Sequence, residues 1–275
     1  MSVLLAIFLG LIQGIAEFLP VSGSGHVLVF QNLSGALAAD DSRLLFSVML
    51  HLGSLAAICV SLRRELRGIA SETAELLRGD ETRSAAPPPV RMLVLIAAAT
   101  LPMLAALPFY GLVRRLFFNT PFIGFMLLIT GALLFVSSKY LKPGSKTERT
   151  LTIADALMIG LAQTVALIPG LSRLGATVTV GLSRGAERDF SVRFSLLLSV
   201  PAVAGSFIVT FIAALKNGID WSAFPLYILG FFISAASGIA AISLLRSAMR
   251  REDQSGFAYY CFAAGALAIL LSLIF

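Results

Sequence analysis

Two clusters of polar residues interrupt apolar stretches of this sequence. The first follows the apolar residues 3–11 and reads Glu17-Phe-Leu-Pro-Val-Ser-Gly-Ser-Gly-His26. The second lies within the apolar segment 153–183 and reads Pro169-Gly-Leu-Ser-Arg-Leu-Gly-Ala-Thr177. Ionisable side chains at membrane depth are unfavourable, and irregular backbone is tolerated there only where it lines a cavity in the protein. Both clusters therefore predict a polar site inside a membrane.

The residue types in the two clusters are those of an anion-binding site. Hydroxyls, glycine amides, helix N-termini and an arginine favour a phosphate group when they converge. Arg173 could neutralise a phosphoryl group during its transfer. The alternative is a structural ion pair between Glu17 and Arg173 that locks the two turns together, and the two roles are compatible. The predicted phosphate ligands are Ser22, Gly23, Gly25, Ser172, Gly175 and Thr177.

Phosphoryl transfer also needs charge neutralisation and a group that moves a proton. Glu17 can hold a divalent cation that bridges diphosphate oxygens, with Gln13 one helical turn earlier on the same face as a second ligand. His26 can act as a base or an acid near neutral pH. The other histidine, His51, is expected to be structural.

The rest of the sequence has the composition of a membrane scaffold. It is 275 residues long, 57% hydrophobic and only 13% charged, whereas soluble domains carry about 25% charged residues. The net charge of +6 resides in short loops between apolar runs, so nucleic acid is not an expected partner. Six transmembrane helices are predicted, over residues 44–62, 92–113, 122–140, 190–215, 224–245 and 257–275. Pro102 and Pro108 are expected to kink the second of them, and residues 69–77 are expected to form an amphipathic surface helix.

The two polar clusters belong to an internal repeat. The tetrapeptide Gly10-Leu-Ile-Gln13 matches Gly160-Leu-Ala-Gln163, and each precedes a proline that opens a Ser/Gly-rich turn. The two prolines, Pro20 and Pro169, align only with a slip of one residue. Paired interrupted helices of this kind indicate a central binding site.

The predicted fold class is an all-α integral membrane protein that forms a single membrane domain over residues 1–275. Six transmembrane helices accompany two re-entrant helix–loop–helix segments in an inverted-topology repeat, with the halves at about 1–140 and 150–275. Sixteen of the 21 lysines and arginines then fall on one side of the membrane, and only Arg43, Arg114, Arg115 and Lys216 fall on the other. The excess of positive charge makes the first side cytoplasmic and puts both termini outside.

The two motifs together resemble those of the bacterial undecaprenyl-diphosphate phosphatase family, the bacitracin-resistance type. The similarity includes the order of the spans and Leu-Gly-Ser at 52–54, so it covers nearly the whole chain. It implies that the terminal phosphate of undecaprenyl diphosphate is hydrolysed at the outer face of the bacterial cytoplasmic (inner) membrane, which recycles the lipid carrier for peptidoglycan and other wall polymers. It also implies a need for a divalent cation, Ca²⁺ or Mg²⁺, and essential roles for Glu17, His26 and Arg173.

The sequence departs from the family pattern at two positions. Gly23 and Leu174 stand where the family usually has serine, so each turn lacks one hydroxyl. The nucleophile is therefore left open between Ser22, Ser24 and water, with Ser24 taken as the catalytic hydroxyl. Gly23 could instead offer an exposed backbone amide to the anion.

The sequence thus predicts a multi-pass membrane phosphatase whose partners are a polyprenyl diphosphate lipid and the surrounding membrane lipids. Its active site is expected to face the periplasm or exterior, and a homodimer is left open as its assembly. The alternative is a transporter or flippase that moves a polyprenyl phosphate lipid without hydrolysis, because inverted repeats with re-entrant loops are also a common transporter design.

Overall fold

Helices make up most of the part of the chain that the structure describes. In the computed structural model the described residues are 2–34, 40–78, 87–217, 221–249 and 255–274. Within them the secondary structure consists of α-helices, two short 3₁₀ turns and one isolated β-bridge between Lys146 and Ala186. The helices are α1 (Val3–Ala16), α2 (Gly23–Ser34), α3 (Asp40–Ser61), α4 (Arg63–Leu77), α5 (Pro88–Leu104), α6 (Tyr110–Leu116), α7 (Thr120–Tyr140), α8 (Ile153–Val165), α9 (Arg173–Ser183), α10 (Arg188–Asn217), α11 (Phe224–Met249) and α12 (Ser255–Ile274).

Five helices, α3, α7, α10, α11 and α12, are long and apolar enough to cross a membrane. A sixth candidate span is the pair formed by α5 and the segment that ends with α6, which is bent by 41° at a short break. Pro102 lies inside α5, and Pro108 lies in the 3₁₀ turn that follows it. The two predicted kinks therefore account for the bend, and the protein is a multi-pass integral membrane protein.

The four helices that flank the two polar clusters are too short to cross a membrane alone. Helices α1, α2, α8 and α9 contain 14, 12, 13 and 11 residues. At about 1.5 Å per residue each is roughly 21 Å long or shorter, whereas the hydrocarbon core of a bilayer is about 30 Å thick. Helix α1 packs against α2, and α8 packs against α9, so the four helices form two hairpins. The turns of these hairpins carry the two polar clusters.

The region after α3 is a surface helix, as the sequence predicts, but a longer one. Helix α4 begins at Arg63, two residues after α3 ends at Ser61, and none of its residues is buried. Residues 79–86 lie outside the described residues. Pro87 and Pro88 stand at the start of α5, where proline is tolerated because the first amides of a helix have no partner within the helix.

Small residues let each hairpin pack closely on a spanning helix. Helix α1 lies on α11, and α8 lies on α5. A Cβ on Gly14 would lie 2.0 Å from Ser237 Oγ and 2.4 Å from Ser234 O, and a Cβ on Gly160 would lie 2.1 Å from Ala99 O. Association inside a membrane depends on such close van der Waals packing, because lipid gives no hydrophobic drive between helices.

Replacing Gly14 by alanine is expected to destabilise the protein, because the new methyl group must displace the backbone of α11. Overpacking of this kind costs about 1–3 kcal/mol. The measurement is the melting temperature of the detergent-purified protein, with Gly68→Ala on α4 as the matched control. A Cβ on Gly68 meets nothing within 4 Å, so the control should melt at the wild-type temperature or slightly above it. Equal melting temperatures for the two variants would contradict this packing.

Candidate functional site

The first turn begins where α1 ends at Ala16. The amide of Glu17 still donates to Gln13 O at 2.9 Å, so the Glu17 carboxylate is held at the end of the helix. The chain then turns through Ser22, whose φ of 68° is in the left-handed region. The hydroxyl of Ser22 accepts a hydrogen bond from the amide of Gly25 at 3.3 Å, which satisfies a backbone donor at the start of α2.

The second turn is built around Thr130 of α7. Its hydroxyl donates to Gly170 O at 3.0 Å and accepts from the amide of Ser172 at 2.9 Å. Gly170 has a φ of 92°, which a residue with a side chain rarely adopts. Ser172 caps α9 by accepting from the amide of Gly175 at 3.1 Å. The next residue, Arg173, therefore starts the helix with its backbone fixed.

The two turns meet through Glu17 and Arg173. Nη2 of Arg173 lies 2.7 Å from Oε1 of Glu17, and their side chains are only 15% and 10% exposed. The guanidinium also donates to Ser195 O at 3.2 Å through Nη1. On the other side of the carboxylate, Gln13 Nε2 donates to Oε2 at 3.0 Å. Glu17, the predicted cation ligand, and Arg173, the predicted partner of the phosphoryl group, are thus in contact. Each of the two side chains is oriented by a further hydrogen bond.

A cavity of about 450 Å³ opens on this ion pair. Its polar part is lined by Glu17, Arg173, Ser22, Ser24 and Ser172. The rest of the wall comes mainly from apolar side chains of the α5–α6 region and α10, among them Leu104, Leu107, Val113, Phe117, Ile208 and Val209. A charged, hydrogen-bonding end and an apolar wall fit a ligand that has a polar head and a hydrocarbon body.

The predicted phosphate ligands fall into two groups. Ser22, Gly23 and Ser172 line the cavity. The other three, Gly25, Gly175 and Thr177, are buried outside its lining, and the amides of the two glycines are taken by the serine hydroxyls described above. Thr177 bonds to Arg173 O at 2.8 Å and to the hydroxyl of Ser195. In the structure these three residues shape the turns, and their direct binding of phosphate stays a prediction.

His26 is not part of the cavity lining. Its Nδ1 is 2.8 Å from Ser22 O, and its Nε2 is 2.9 Å from the hydroxyl of Tyr260, whose ring stacks on the imidazole with 5.5 Å between ring centroids. Of the described histidines, His51 is the one that lines the cavity. Its Nε2 lies 3.7 Å from Glu17 Oε2. The sequence predicts acid–base chemistry for His26 and a structural role for His51, yet His51 is the histidine that lies at the cavity.

The two predicted cation ligands, Glu17 and Gln13, differ in their access to the cavity. Glu17 faces the cavity, whereas Gln13 is fully buried and turns its amide nitrogen towards the carboxylate. The described residues contain no group of three or more His, Cys, Asp or Glu that could hold a metal ion. A divalent cation at Glu17 would therefore take most of its ligands from a bound diphosphate and water, as Mg²⁺ commonly does.

Several residues of the site escaped the sequence analysis. Thr130 and Ser195 sit inside long apolar helices, where a single hydroxyl usually bonds to its own helix and carries no positional information. Tyr260 belongs to the last span, far from both motifs in the sequence. His51 lies within a predicted span, and the sequence predicts a structural role for it. Only the three-dimensional arrangement brings these four residues to the two turns.

The fold and the site together define a helical membrane protein with a buried Glu17–Arg173 ion pair at an internal cavity, and comparison with known proteins identifies its family. The family described as bacitracin resistance protein BacA matches residues 6–267. A protein named undecaprenyl-diphosphatase from Rubrobacter xylanophilus is 39% identical over 100% of both chains. One of the same name from Syntrophotalea carbinolica is 37% identical over 99% of this chain and 100% of its own, and one from Halothermothrix orenii is 34% identical over 100% of both. The chain belongs to the BacA family, which confirms the resemblance seen in the sequence.

Proposed function

We propose that this protein hydrolyses undecaprenyl diphosphate to undecaprenyl phosphate and inorganic phosphate, and so recycles the lipid carrier for cell-wall polymers. The names of its relatives support this activity. The observation that carries the proposal is the Glu17–Arg173 pair, contributed by two distant parts of the chain, at the polar end of a cavity whose wall is largely apolar. Neither a soluble phosphate ester nor an apolar lipid alone would use both parts of that cavity.

The diphosphate head and the polyprenyl chain of the substrate match different parts of the cavity. The diphosphate lies at the polar end, where Arg173 can form charge-assisted hydrogen bonds to the terminal phosphate, and the hydroxyls of Ser22, Ser24 and Ser172 are within the same lining. The polyprenyl chain lies along the apolar side chains of the α5–α6 region and α10. Charge develops on the phosphoryl oxygens during transfer, so a buried guanidinium there lowers the barrier.

The attacking group is Ser24 or a water molecule. Ser22 already accepts a hydrogen bond from Gly25, and Ser172 accepts one from Gly175, which fixes both hydroxyls as parts of helix starts. Ser24 lines the cavity and is only partly buried. His26 stays the predicted acid–base residue, and in the structure its Nε2 is bound to the hydroxyl of Tyr260. Replacing Tyr260 by phenylalanine frees that nitrogen without removing the ring.

A divalent cation, Ca²⁺ or Mg²⁺, belongs to the proposed site. Glu17 would hold it through Oε2, and the chemistry it supplies when bound is neutralisation of the diphosphate charge. Gln13 would join as a ligand only after its amide has turned to present oxygen, because its nitrogen donates to Glu17. In the present arrangement Gln13 orients the carboxylate.

Thr130 offers a test of the second turn in which none of the proposed ligands is itself substituted. Thr130→Val removes the hydroxyl that bonds to Gly170 O and the Ser172 amide, and an unsatisfied buried group costs about 1–3 kcal/mol. Because Ser172 and Arg173 then lose their fixed position, kcat for phosphate release is expected to fall by about tenfold. The control is Thr164→Val, whose hydroxyl bonds only to Gly160 O of its own helix. A Thr130→Val variant as active as that control would contradict the role of Thr130.

The two hairpins are proposed to be re-entrant segments of an inverted repeat. The shortness of their helices supports this proposal. The contacts between helices support it as well: α1 contacts α11 as α8 contacts α5, and α2 contacts α12 as α9 contacts α7. Gln13 and Ser22 are as far apart in the sequence as Gln163 and Ser172. When the two halves are aligned on the glutamines, the serines that bond to the amides of Gly25 and Gly175 therefore coincide. The two prolines still differ by one position.

The charge asymmetry of the loops supports an orientation with the cytoplasm on the basic side. On this basis the cavity is proposed to open to the periplasm or exterior, and the family resemblance supports a location in the bacterial inner membrane. Arg114, assigned to the outer side, lines the cavity and is consistent with that opening. The single-domain organisation and the homodimer stay predictions, and light scattering of the detergent-solubilised protein would measure the oligomeric state.

The proposal is tested in sealed proteoliposomes that contain undecaprenyl diphosphate. A phosphatase releases inorganic phosphate into the compartment that its cavity faces, while total lipid phosphorus in the membrane falls by the same amount. The alternative, a flippase, finds no support in the comparisons, and it would move lipid phosphate between leaflets with no release. Lipid movement without phosphate release would therefore contradict the proposal.

A further inference from the structure

One wall of the cavity packs only weakly against the rest of the protein. This wall segment consists of the 3₁₀ turn Leu107–Phe109 and helix α6, Tyr110–Leu116. None of its residues is buried. Among the described elements, extensive contacts join α6 only to the 3₁₀ turn before it. The segment follows the 41° bend, and beyond its far end Asn32 Nδ2 donates to Phe117 O at 3.0 Å. A segment with so few buried contacts moves more easily than the core of a protein.

The wall segment turns one face to the cavity. Leu107, Tyr110 and Arg114 line the cavity, and their spacing of three and four residues places them on one side of a helix. Leu112 lies on another side and is 59% exposed. Arg115 is also exposed and is not part of the cavity lining. Of the two neighbouring arginines, Arg114 is therefore the one presented to a ligand in the cavity.

Arg114 gives the cavity lining a net positive charge. Among the described residues that line the cavity, the aspartates, glutamates, lysines and arginines are represented by Glu17, Arg173 and Arg114. Glu17 and Arg173 neutralise each other across 2.7 Å. The excess charge is thus the guanidinium of Arg114, which stands beside the apolar part of the wall. Each phosphate of a diphosphate ester carries negative charge, so the ligand needs more positive charge than the ion pair supplies.

The orientation of the lipid decides which phosphate lies near Arg114. In the proposed function, on which this step rests, the terminal phosphate lies at Arg173 and the polyprenyl chain lies along the α5–α6 wall. The phosphate bonded to the chain is then the one nearer to the wall segment. When the bond from the terminal phosphorus to the bridging oxygen breaks, the electron pair stays on that phosphate, so its negative charge grows.

We propose that Arg114 binds the phosphate that carries the polyprenyl chain, and that the wall segment moves onto the substrate as this contact forms. The planar guanidinium suits the role because it can donate two parallel hydrogen bonds to one phosphate. Arg114 then favours lipids with a diphosphate head over those with a monophosphate, and it stabilises the leaving group.

The binding test uses the full-length protein in detergent and a substrate analogue with carbon in place of the bridging oxygen, undecaprenyl methylenediphosphonate. Arg114→Ala is expected to bind the analogue about 10- to 100-fold more weakly, the usual effect of losing a hydrogen bond to a charged group. Its kcat/KM for phosphate release should fall by a similar factor. Arg114→Lys should give intermediate values, because lysine keeps the charge but not the fork.

Arg115→Ala is the matched control, since it removes the adjacent arginine of the same helical turn. It should bind the analogue and release phosphate as the wild type does. No residue of α6 is buried, so all three variants should fold. Wild-type affinity and wild-type kcat/KM in Arg114→Ala, or an equal loss in Arg115→Ala, would overturn the proposal.

Inorganic phosphate shows which of the two phosphates Arg114 binds. As the product of the terminal phosphate it competes at the Arg173 end of the cavity. Its inhibition constant is expected to be unchanged in Arg114→Ala. A rise equal to the loss in affinity for the analogue would mean that Arg114 acts on the terminal phosphate or on the shape of the whole site, and would contradict the assignment.

Hydrogen–deuterium exchange tests the movement of the wall segment without turnover. The analogue should slow exchange at the amides of residues 107–116 in the wild type and in Arg115→Ala, but not in Arg114→Ala. Unchanged exchange in the wild type with saturating analogue would refute the movement. These measurements are independent of hydrolysis. A wild-type enzyme that releases phosphate but whose Arg114 variants are unaffected would refute the role of Arg114 and leave the proposed function standing.

Discussion

Replacing Arg173 by alanine is expected to lower the rate of phosphate release from undecaprenyl diphosphate by about 10²- to 10³-fold, the usual effect of removing a preorganised donor to a developing negative charge. Arg173 starts α9 and holds two partners, Glu17 Oε1 and Ser195 O. The loss should appear mainly in kcat, because the charge on the phosphoryl oxygens grows on the way to the transition state. Steady-state kinetics in detergent provide the measurement.

Two further variants show whether the guanidinium itself is needed. Arg173→Lys keeps the charge but cannot hold both partners with one planar group, so an intermediate rate is expected. Arg193→Ala on α10 is the matched control, since Arg193 also pairs with a carboxylate, Glu148 at 2.8 Å, but at a more exposed position. Exposed ion pairs contribute about 0–1 kcal/mol, so this control should retain a rate close to that of the wild type. A fully active Arg173→Ala enzyme would refute the assigned site.

Replacing Glu17 by alanine is expected to reduce both activity and stability. Arg173 would then be a buried charge without its carboxylate, and breaking a buried pair on one side costs about 3–5 kcal/mol. The cation would also lose its carboxylate ligand. The expected result is a lower melting temperature in detergent together with a loss of phosphate release comparable to that of Arg173→Ala.

The double variant Glu17→Ala with Arg173→Ala separates a structural pair from a catalytic one. If neither charge remains, the penalty of an unpaired buried charge disappears, and the melting temperature should recover most of the difference. Phosphate release should not recover, because both groups act on the substrate. Recovery of turnover in the double variant would mean that the pair only locks the two turns together.

Much of the scaffold could be predicted from composition and apolar runs. Six spans, the kinks at Pro102 and Pro108 and the surface helix before residue 79 follow from hydropathy, proline geometry and charge, which are local properties. The short helices and their hairpins also followed from the sequence, because polar residues such as Glu17 and Arg173 are too unfavourable at membrane depth to lie within an ordinary span.

The site was predictable in its motif residues but not in their partners. Glu17, Arg173 and the serine caps carry a local signal, whereas Thr130 and Ser195 become part of the site only through contacts between helices. The surroundings of the two histidines could not be predicted either, because the local sequence does not tell which neighbouring helix a side chain will face. His26 faces Tyr260 of α12, and His51, within an apolar span, faces the cavity.

The structure gives a steric reason for glycine at position 23. Its missing hydroxyl looked like a loss from the site, yet a Cβ at this position would lie 2.9 Å from the amide nitrogen of Glu17 and 3.1 Å from Gln13 Oε1. A serine could enter only if the first turn moved away from the end of α1. In this chain the glycine lets the turn close tightly over Glu17 and Gln13.

The most direct test of the central claim is phosphate release from undecaprenyl diphosphate by the detergent-purified protein, measured with Mn²⁺, Mg²⁺ or Ca²⁺ and then with a chelator. We predict cation-dependent release of one phosphate per lipid, stopped by the chelator and reduced to near background in Arg173→Ala. Folded protein that binds the lipid but releases no phosphate with any of these cations would contradict the claim that the meeting point of the two turns is a hydrolytic site.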